Sequence, residues 1–253
     1  MFRPRVIPVL LLKGAGLVKT IQFKKPKYIG DPINAVKIFN DLEADELIFL
    51  DIEASKQKRS PNFTTIKKIA DEAFMPFAFG GGISSLEEAR QVMSCGAEKV
   101  IINTAMESKP ALVKEVSDVF GKQSVMVSID SKRDFFGKRK VYVKGGSRKL
   151  IMSPVELAVQ AERMGAGEVM INSIDHEGKM QGYDVDLIKE VSEAVQIPVV
   201  GCGGAGTLSD LKKVIVQGGA HAVAAGSVFV FHGERNGILI NYPHKKDLLE
   251  LFS

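Results

Sequence analysis

The 253-residue chain contains no tryptophan, two cysteines and four histidines. Cys95 and Cys202 are too few and too far apart to frame a disulfide scaffold, so a reducing cytoplasm is the expected setting. His176, His221, His232 and His244 fall into no HxH or HExxH spacing, which leaves a metal site without its usual ligands. No G-x-S-x-G or paired Cys/His arrangement marks a nucleophile, and no cofactor is expected. The longest aliphatic run, residues 6–12, carries Pro8 and falls well short of the ~20 residues that span a bilayer. Two arginines ahead of that run faintly imitate a signal peptide, but no small-residue cleavage site follows, so it reads as a first buried strand. The charge imbalance is slight: 34 Lys plus Arg less 30 Asp plus Glu leaves +4. Without interleaved basic and aromatic residues, that excess does not argue for nucleic acid.

What is present is globular. With 45% apolar and 25% charged residues, the chain sits on the soluble averages. Its length suits one α/β barrel of about 250 residues, and residues 1–253 read as a single domain without an internal boundary.

The chain is also written twice. Gly81-Gly82-Ile83-Ser84-Ser85-Leu86 lies over Gly203-Gly204-Ala205-Gly206-Thr207-Leu208, an offset of 203 − 81 = 122. Both copies lead into an amphipathic helix pattern, then Gly96-Ala97 or Gly219-Ala220, then an apolar run closing on Asn103-Thr104 or Gly226-Ser227. Near the start of each half, residues 6–13 lie over 125–132, which matches Leu11 with Asp130.

Eight short apolar runs, at 6–11, 47–51, 76–79, 100–103, 125–130, 169–173, 198–202 and 222–225, read as parallel strands buried on both faces. Helical patterns separate them, for example at 84–94, 154–164, 184–194 and 207–216, with Ser84 and Thr207 as N-caps and Glu87 closing a capping box. This order predicts a (β/α)8 TIM barrel made of two half-barrels, about 1–122 and 123–253, with a hairpin inserted at 134–149.

In such a barrel the chemistry sits at the C-terminal strand ends. Two glycine-rich turns there can approach a phosphate closely with backbone N–H groups. Gly81 and Gly82 with Asn103 and Thr104 form one expected grip; Gly203 and Gly204 with Gly226 and Ser227 form the other. A single such turn could merely reverse the chain, but two at equivalent places predict a ligand phosphorylated at two points. Gly201 to Gly206 also fits G-x-G-x-x-G, yet His221 stands where a dinucleotide site carries an acid. Asp130 ends a buried strand and is the first candidate acid–base group. Asp51 is its counterpart on the second strand, either catalytic or orienting Lys19; Asp175 and Glu177 are further candidates. Lysines 24, 25 and 27 read as a solvated loop, or a lid over an anionic substrate. At the opposite barrel end Arg5, Glu46, Lys99 and Glu168 each precede a strand, and their alternating signs predict a ring plugging the axis.

These residues carry a resemblance across the whole chain. The segments RVIPxL at 5–10, LVKxxxF at 17–23, DELIFLDIxAS at 45–55, FGGGI at 79–83, GAEKVIINTA at 96–105, SIDSKR at 128–133, GAGEVMINSID at 165–175 and GGAG at 203–206 are similar to the cyclase subunit family of imidazole glycerol phosphate synthase. The resemblance implies phosphate binding by Gly82, Asn103 and Thr104 and by Gly204 and Ser227. It also implies an ammonia gate at Arg5, Glu46, Lys99 and Glu168, and a glutaminase subunit docked at the N-terminal face.

Departures stand out against that family. It closes its first strand with a catalytic Asp, where this chain has Leu11; Asn172, Glu177 and Cys202 replace its Thr, Asp and Ser. Leu cannot transfer a proton, and general acid–base groups contribute ~10²–10⁴-fold, so ordinary cyclisation should be severely impaired. The opening segments at 6–13, 16–23 and 28–36 resemble a paralogous branch associated with acetamidino groups on surface-polysaccharide sugars, where the barrel passes ammonia to a sugar amidotransferase. Three alternatives stay open: a genuine synthase using Asp130 with Glu177 or Asp51, an isomerase of the same pathway, and a non-catalytic scaffold that activates its glutaminase.

Overall fold

The structure, a computed structural model, describes residues 3–233 and 235–253. Eight parallel strands close into a barrel: Arg5–Lys13, Leu47–Asp51, Phe77–Gly80, Lys99–Ile102, Val125–Arg133, Glu168–Ser173, Val199–Cys202 and Ala222–Ala225. Each pairs with the next, and the first returns to the eighth through the register Arg5↔Ala222 to Pro8↔Ala225, so the ring has no free edge. Each of the eight apolar runs read from the sequence falls on one of these strands, and the fold is the (β/α)8 TIM barrel expected.

Alternation along the strands makes two cores. Val6, Leu10 and Leu12 of the first strand face outward into a shell shared with the helices. Ile7 and Val9 face the axis, where they pack with Ile48, Ala78, Ile101, Met126, Met170, Val200, Ala222 and Ala224. Every barrel strand is therefore apolar on both faces, which explains runs too continuous to alternate. Burying each such side chain contributes roughly 1.5–3 kcal/mol, so this double shell holds the barrel shut.

The outer helices are set by their caps. Asp31 accepts from the Ile33 and Asn34 N–H groups ahead of Pro32–Asp41, and Ser153 forms a reciprocal capping box with Glu156 at Pro154–Arg163. One expected cap is displaced. The helix Leu86–Ser94 is capped by Ser85, not Ser84, and its carboxylate partner is Glu88, not Glu87. Ser84 instead donates its N–H and hydroxyl to Glu88. Adjacent serines each followed three residues later by a Glu leave the register to tertiary packing.

Two hairpins rise from the mouth. Barrel strand five runs on to Arg133 and pairs antiparallel with Arg139–Val143, which pairs with Arg148–Lys149. The hairpin expected at 134–149 is thus a continuation of the barrel strand itself. Barrel strand one does the same with Gly16–Ile21 and Lys24–Gly30, which corrects the loop expected at Lys24, Lys25 and Lys27. Those lysines are exposed, but on a strand. The turn joining the two arms is Gln22-Phe23, with φ of 53° and 62°, a left-handed pair usually written with Asn and Gly. That unusual chemistry hid the hairpin from a reading based on turn residues.

Candidate active site

The C-terminal strand ends open on one cavity. Lys19, Asp51, Gly81, Asn103, Thr104, Asp130, Glu177, Gly203, Gly204, Gly226 and Ser227 all line it; of the expected mouth residues, Gly82 and Asp175 do not. The Gly82 N–H is donated to Ser55 Oγ at 3.4 Å.

Asp130 is the electrostatic centre. Its buried carboxylate accepts from Asn103 Nδ2 at 3.1 Å and Asn172 Nδ2 at 3.2 Å. Burial pushes its pKa up to about 7, a shift the two amide hydrogen bonds oppose and the Glu177 charge reinforces. Glu177 is also raised, chiefly by burial, while it accepts from Phe23 N at 3.0 Å and Thr20 Oγ1 at 2.9 Å. Lys19 lies fully buried nearby, with Nζ donating to the Val9 carbonyl at 2.5 Å and its pKa lowered by desolvation to about 8. Burial pushes the Cys202 thiol up to about 12, so it is not a thiolate nucleophile. The mouth therefore holds an acid at about 7 and an amine at about 8, suited to proton transfer near neutral pH, beside a second carboxyl raised by burial.

The opposing wall is apolar. Leu11 and Leu50 pack on the axial core and line the cavity. Asp51, by contrast, is committed to its own loop: it accepts from Glu53 N, Ala54 N and Arg59 Nη2 at 2.9 to 3.1 Å. It does not orient Lys19, whose hydrogen bond goes to Val9. Arg59 is the partner that sequence reasoning missed, because nothing in the run at 56–59 points back to Asp51.

Close approach explains the glycines. A Cβ at Gly81 would stand 2.4 Å from the Asp51 carbonyl, and one at Gly204 would stand 2.2 Å from that of Gly182. A Cβ at Gly226 would meet Lys19 Nζ at 2.1 Å. Thr104 Oγ1 accepts from Lys144 N at 3.2 Å, tying the fourth strand end to the second hairpin. Phe23 of the first hairpin packs against Gly146 of the second, at 2.9 Å from the Cβ position there, so the two hairpins meet above the mouth. Thr20, Phe23 and Asn172 join the site through these contacts; Thr20 and Phe23 needed the hairpin to be seen first. Asp175 lies outside the group, with a carboxylate oxygen accepting from Arg133 N at 2.8 Å.

At the other end the four expected charges form a closed circuit. Arg5 pairs with Glu46 and, at 2.5 Å, with Glu168; Lys99 reaches Glu46 at 3.0 Å and Glu168 at 3.2 Å. Between this circuit and the mouth lies the apolar axial core. Among the described residues no cluster of His, Cys, Asp and Glu could hold a metal ion, and no helix is long and apolar enough to cross a membrane.

Fold and site together define a (β/α)8 barrel with a titratable mouth and a charged base. The chain belongs to the histidine biosynthesis protein family, whose model matches residues 5–235. It is 49% identical over 243 residues to the protein of Pseudomonas aeruginosa provisionally named imidazole glycerol phosphate synthase subunit hisF2, covering 96% of this chain and 97% of that one. A similarly named HisF protein of Leptospira interrogans is 44% identical over the full length of both chains. The imidazole glycerol phosphate synthase subunit HisF of Alkaliphilus metalliredigens is 38% identical over 232 residues, 92% of each chain.

Proposed function

We propose that this barrel is the ammonia-handling subunit of a glutamine amidotransferase complex. A glutaminase would dock at the N-terminal face, ammonia would pass the Arg5–Glu46–Lys99–Glu168 circuit, and the mouth would deliver it to an acceptor whose amidination modifies a surface-polysaccharide sugar. The phosphate grips at Gly81, Asn103 and Thr104, and at Gly203, Gly204, Gly226 and Ser227, would hold a phosphorylated ligand; Gly82, whose N–H goes to Ser55, stands behind the first grip. One observation carries the reading: Leu11 fills, with an apolar side chain, the place across the mouth where the resemblance calls for a second catalytic carboxylate. A cyclase that must shuttle protons to and from its substrate needs two groups, and an apolar wall supplies neither.

A genuine synthase making imidazole glycerol phosphate and AICAR is the second reading. It draws support from Asp130, poised at about 7, with the raised carboxylate of Glu177 close enough to perturb it. Incubating the barrel with the bisphosphorylated formimino substrate and excess ammonium separates the two. Absence of imidazole glycerol phosphate, with the substrate still bound, supports delivery to another acceptor. Turnover at an ordinary synthase's rate removes that reading and assigns the chemistry to Asp130 and Glu177.

A further inference from the structure

The hairpin that continues barrel strand five ends in a tip unlike the rest of the surface. Phe135 is 97% exposed and Phe136 82%, their rings edge to face at 5.5 Å. Ile151, 92% exposed, is held beside the hairpin by Lys140 Nζ donating to its carbonyl at 3.0 Å. Contiguous exposed apolar groups mark contact surfaces, and the two phenylalanine rings touch each other at the tip. The turn is also rigid: Asp134 Oδ1 accepts from both Phe136 N and Lys138 N at 3.0 Å, so the phenylalanines sit on a pre-organised support.

The charges point the same way. Lys132 stands directly opposite Lys140, and Arg133 opposite Arg139, an arrangement that destabilises a ladder. Arg139 is relieved by Asp184 and Glu190, and Arg133 by Asp184. Among the described residues Lys132, Lys138 and Lys140 form no salt bridge, Lys140 sensing only the charge of Glu156, and the local acid Asp134 is occupied by the turn. A like-charged pair kept against its own repulsion suits a negatively charged surface arriving from outside.

Position selects the occupant. The base of the same hairpin carries Asp130, paired with Tyr142, and its inner turn at 144–146 meets Phe23 above the mouth. A protein covering the mouth to collect what leaves it touches this hairpin, while one docked on the charged base is at the far end of the barrel. We propose that the 134–138 tip is the docking anchor for the enzyme that accepts the barrel's ammonia, and that this enzyme presents an apolar socket rimmed by carboxylates. The inference rests on the delivery reading above. Two phenylalanines and an isoleucine are an anchor and not a whole interface, so the partner also spreads over the mouth rim.

The test uses the purified barrel, its glutaminase and the acceptor amidotransferase. Affinity between barrel and amidotransferase is measured by calorimetry, and amidation is driven by glutamine or by ammonium salt. The F135A/F136A variant, whose side chains support no core, is expected to weaken binding about thirtyfold or more. K138E/K140E is expected to weaken it about tenfold and to flatten its salt dependence. Both should depress glutamine-driven amidation, leave ammonium-driven amidation unchanged and bind glutaminase normally. Unaltered affinity and coupling in both variants overturns the docking assignment while the delivery reading stands. Loss of binding to phosphatidylglycerol vesicles, with amidotransferase affinity intact, also overturns it and makes the tip a membrane contact. A wild-type barrel that forms no complex with the amidotransferase but makes imidazole glycerol phosphate overturns the delivery reading and the dock together.

Discussion

Leu11 and Asp130 are each the residue at which a barrel strand first pairs with an antiparallel return strand, Leu11 with Val18 and Asp130 with Tyr142. One is a hydrocarbon lying on Leu50 and the axial core; the other is a buried carboxylate held by two asparagines. Equivalent backbone places with unlike chemistry make the mouth one-sided.

Leu11→Asp should introduce a carboxylate at that place at a cost. The new group would lie on an apolar wall, so its ionisation is opposed, and stability should fall by about 1–3 kcal/mol at pH 7. Cyclisation of the formimino substrate with ammonium should rise above that of the parent chain. Thermal melts and product assay measure both; unchanged turnover would disconnect Leu11 from the chemistry.

Asp130 makes stability depend on pH in a defined direction. Its folded pKa of about 7 lies above the ordinary carboxylate value, so between roughly pH 4 and 7 the native state holds a proton that the unfolded chain has lost. Its contribution is complete at low pH and is lost as pH rises through 7. Asp130→Asn should therefore flatten the decline in melting temperature across that window. An unaltered slope would place the titration elsewhere.

Gly226→Ala and Gly81→Ala should part company. At Gly226 the new methyl meets the movable end of Lys19, so the fold should persist while Lys19 is displaced and ligand binding falls at least tenfold. At Gly81, φ of 112° and the Asp51 carbonyl at 2.4 Å leave only backbone to yield, and the melting temperature should drop by several degrees. Melting curves beside phosphate-ligand titrations distinguish the two effects.

Glu177→Ala removes the acceptor for Phe23 N and Thr20 Oγ1, which hold the first hairpin down. Amide exchange and proteolysis at 20–27 should accelerate at least tenfold, with little change in the barrel strands. Equal protection in the variant would show that packing of Phe23 against Gly146 suffices.

Glu46→Ala opens the basal circuit, leaving Arg5 and Lys99 to share Glu168. Because Glu46 is buried while Arg5 is partly solvated, a loss of about 2–3 kcal/mol is expected in denaturant unfolding.

Much of the barrel was legible from the chain alone, for a local reason. A strand buried on both faces must be apolar throughout, so eight short runs at barrel spacing announce the ring, and charges placed just before four of them must meet at its base. The glycines at 81, 82, 203 and 204 were legible too, since a strand-to-helix turn this tight admits no side chain. What only the tertiary structure decided depends on contacts between distant segments. Gln22-Phe23 turns through left-handed backbone that its composition does not advertise, because Glu177, 154 residues away, accepts the Phe23 N–H. Asp51 pairs with Arg59 while Lys19 bonds to Val9, and Ser85 takes the cap from Ser84; the sequence offered two partners in each case, and packing selected one. Composition cannot say that Asp130 titrates near 7 or that Lys19 is fully buried. Those values come from desolvation, and desolvation exists only once the barrel has closed around them.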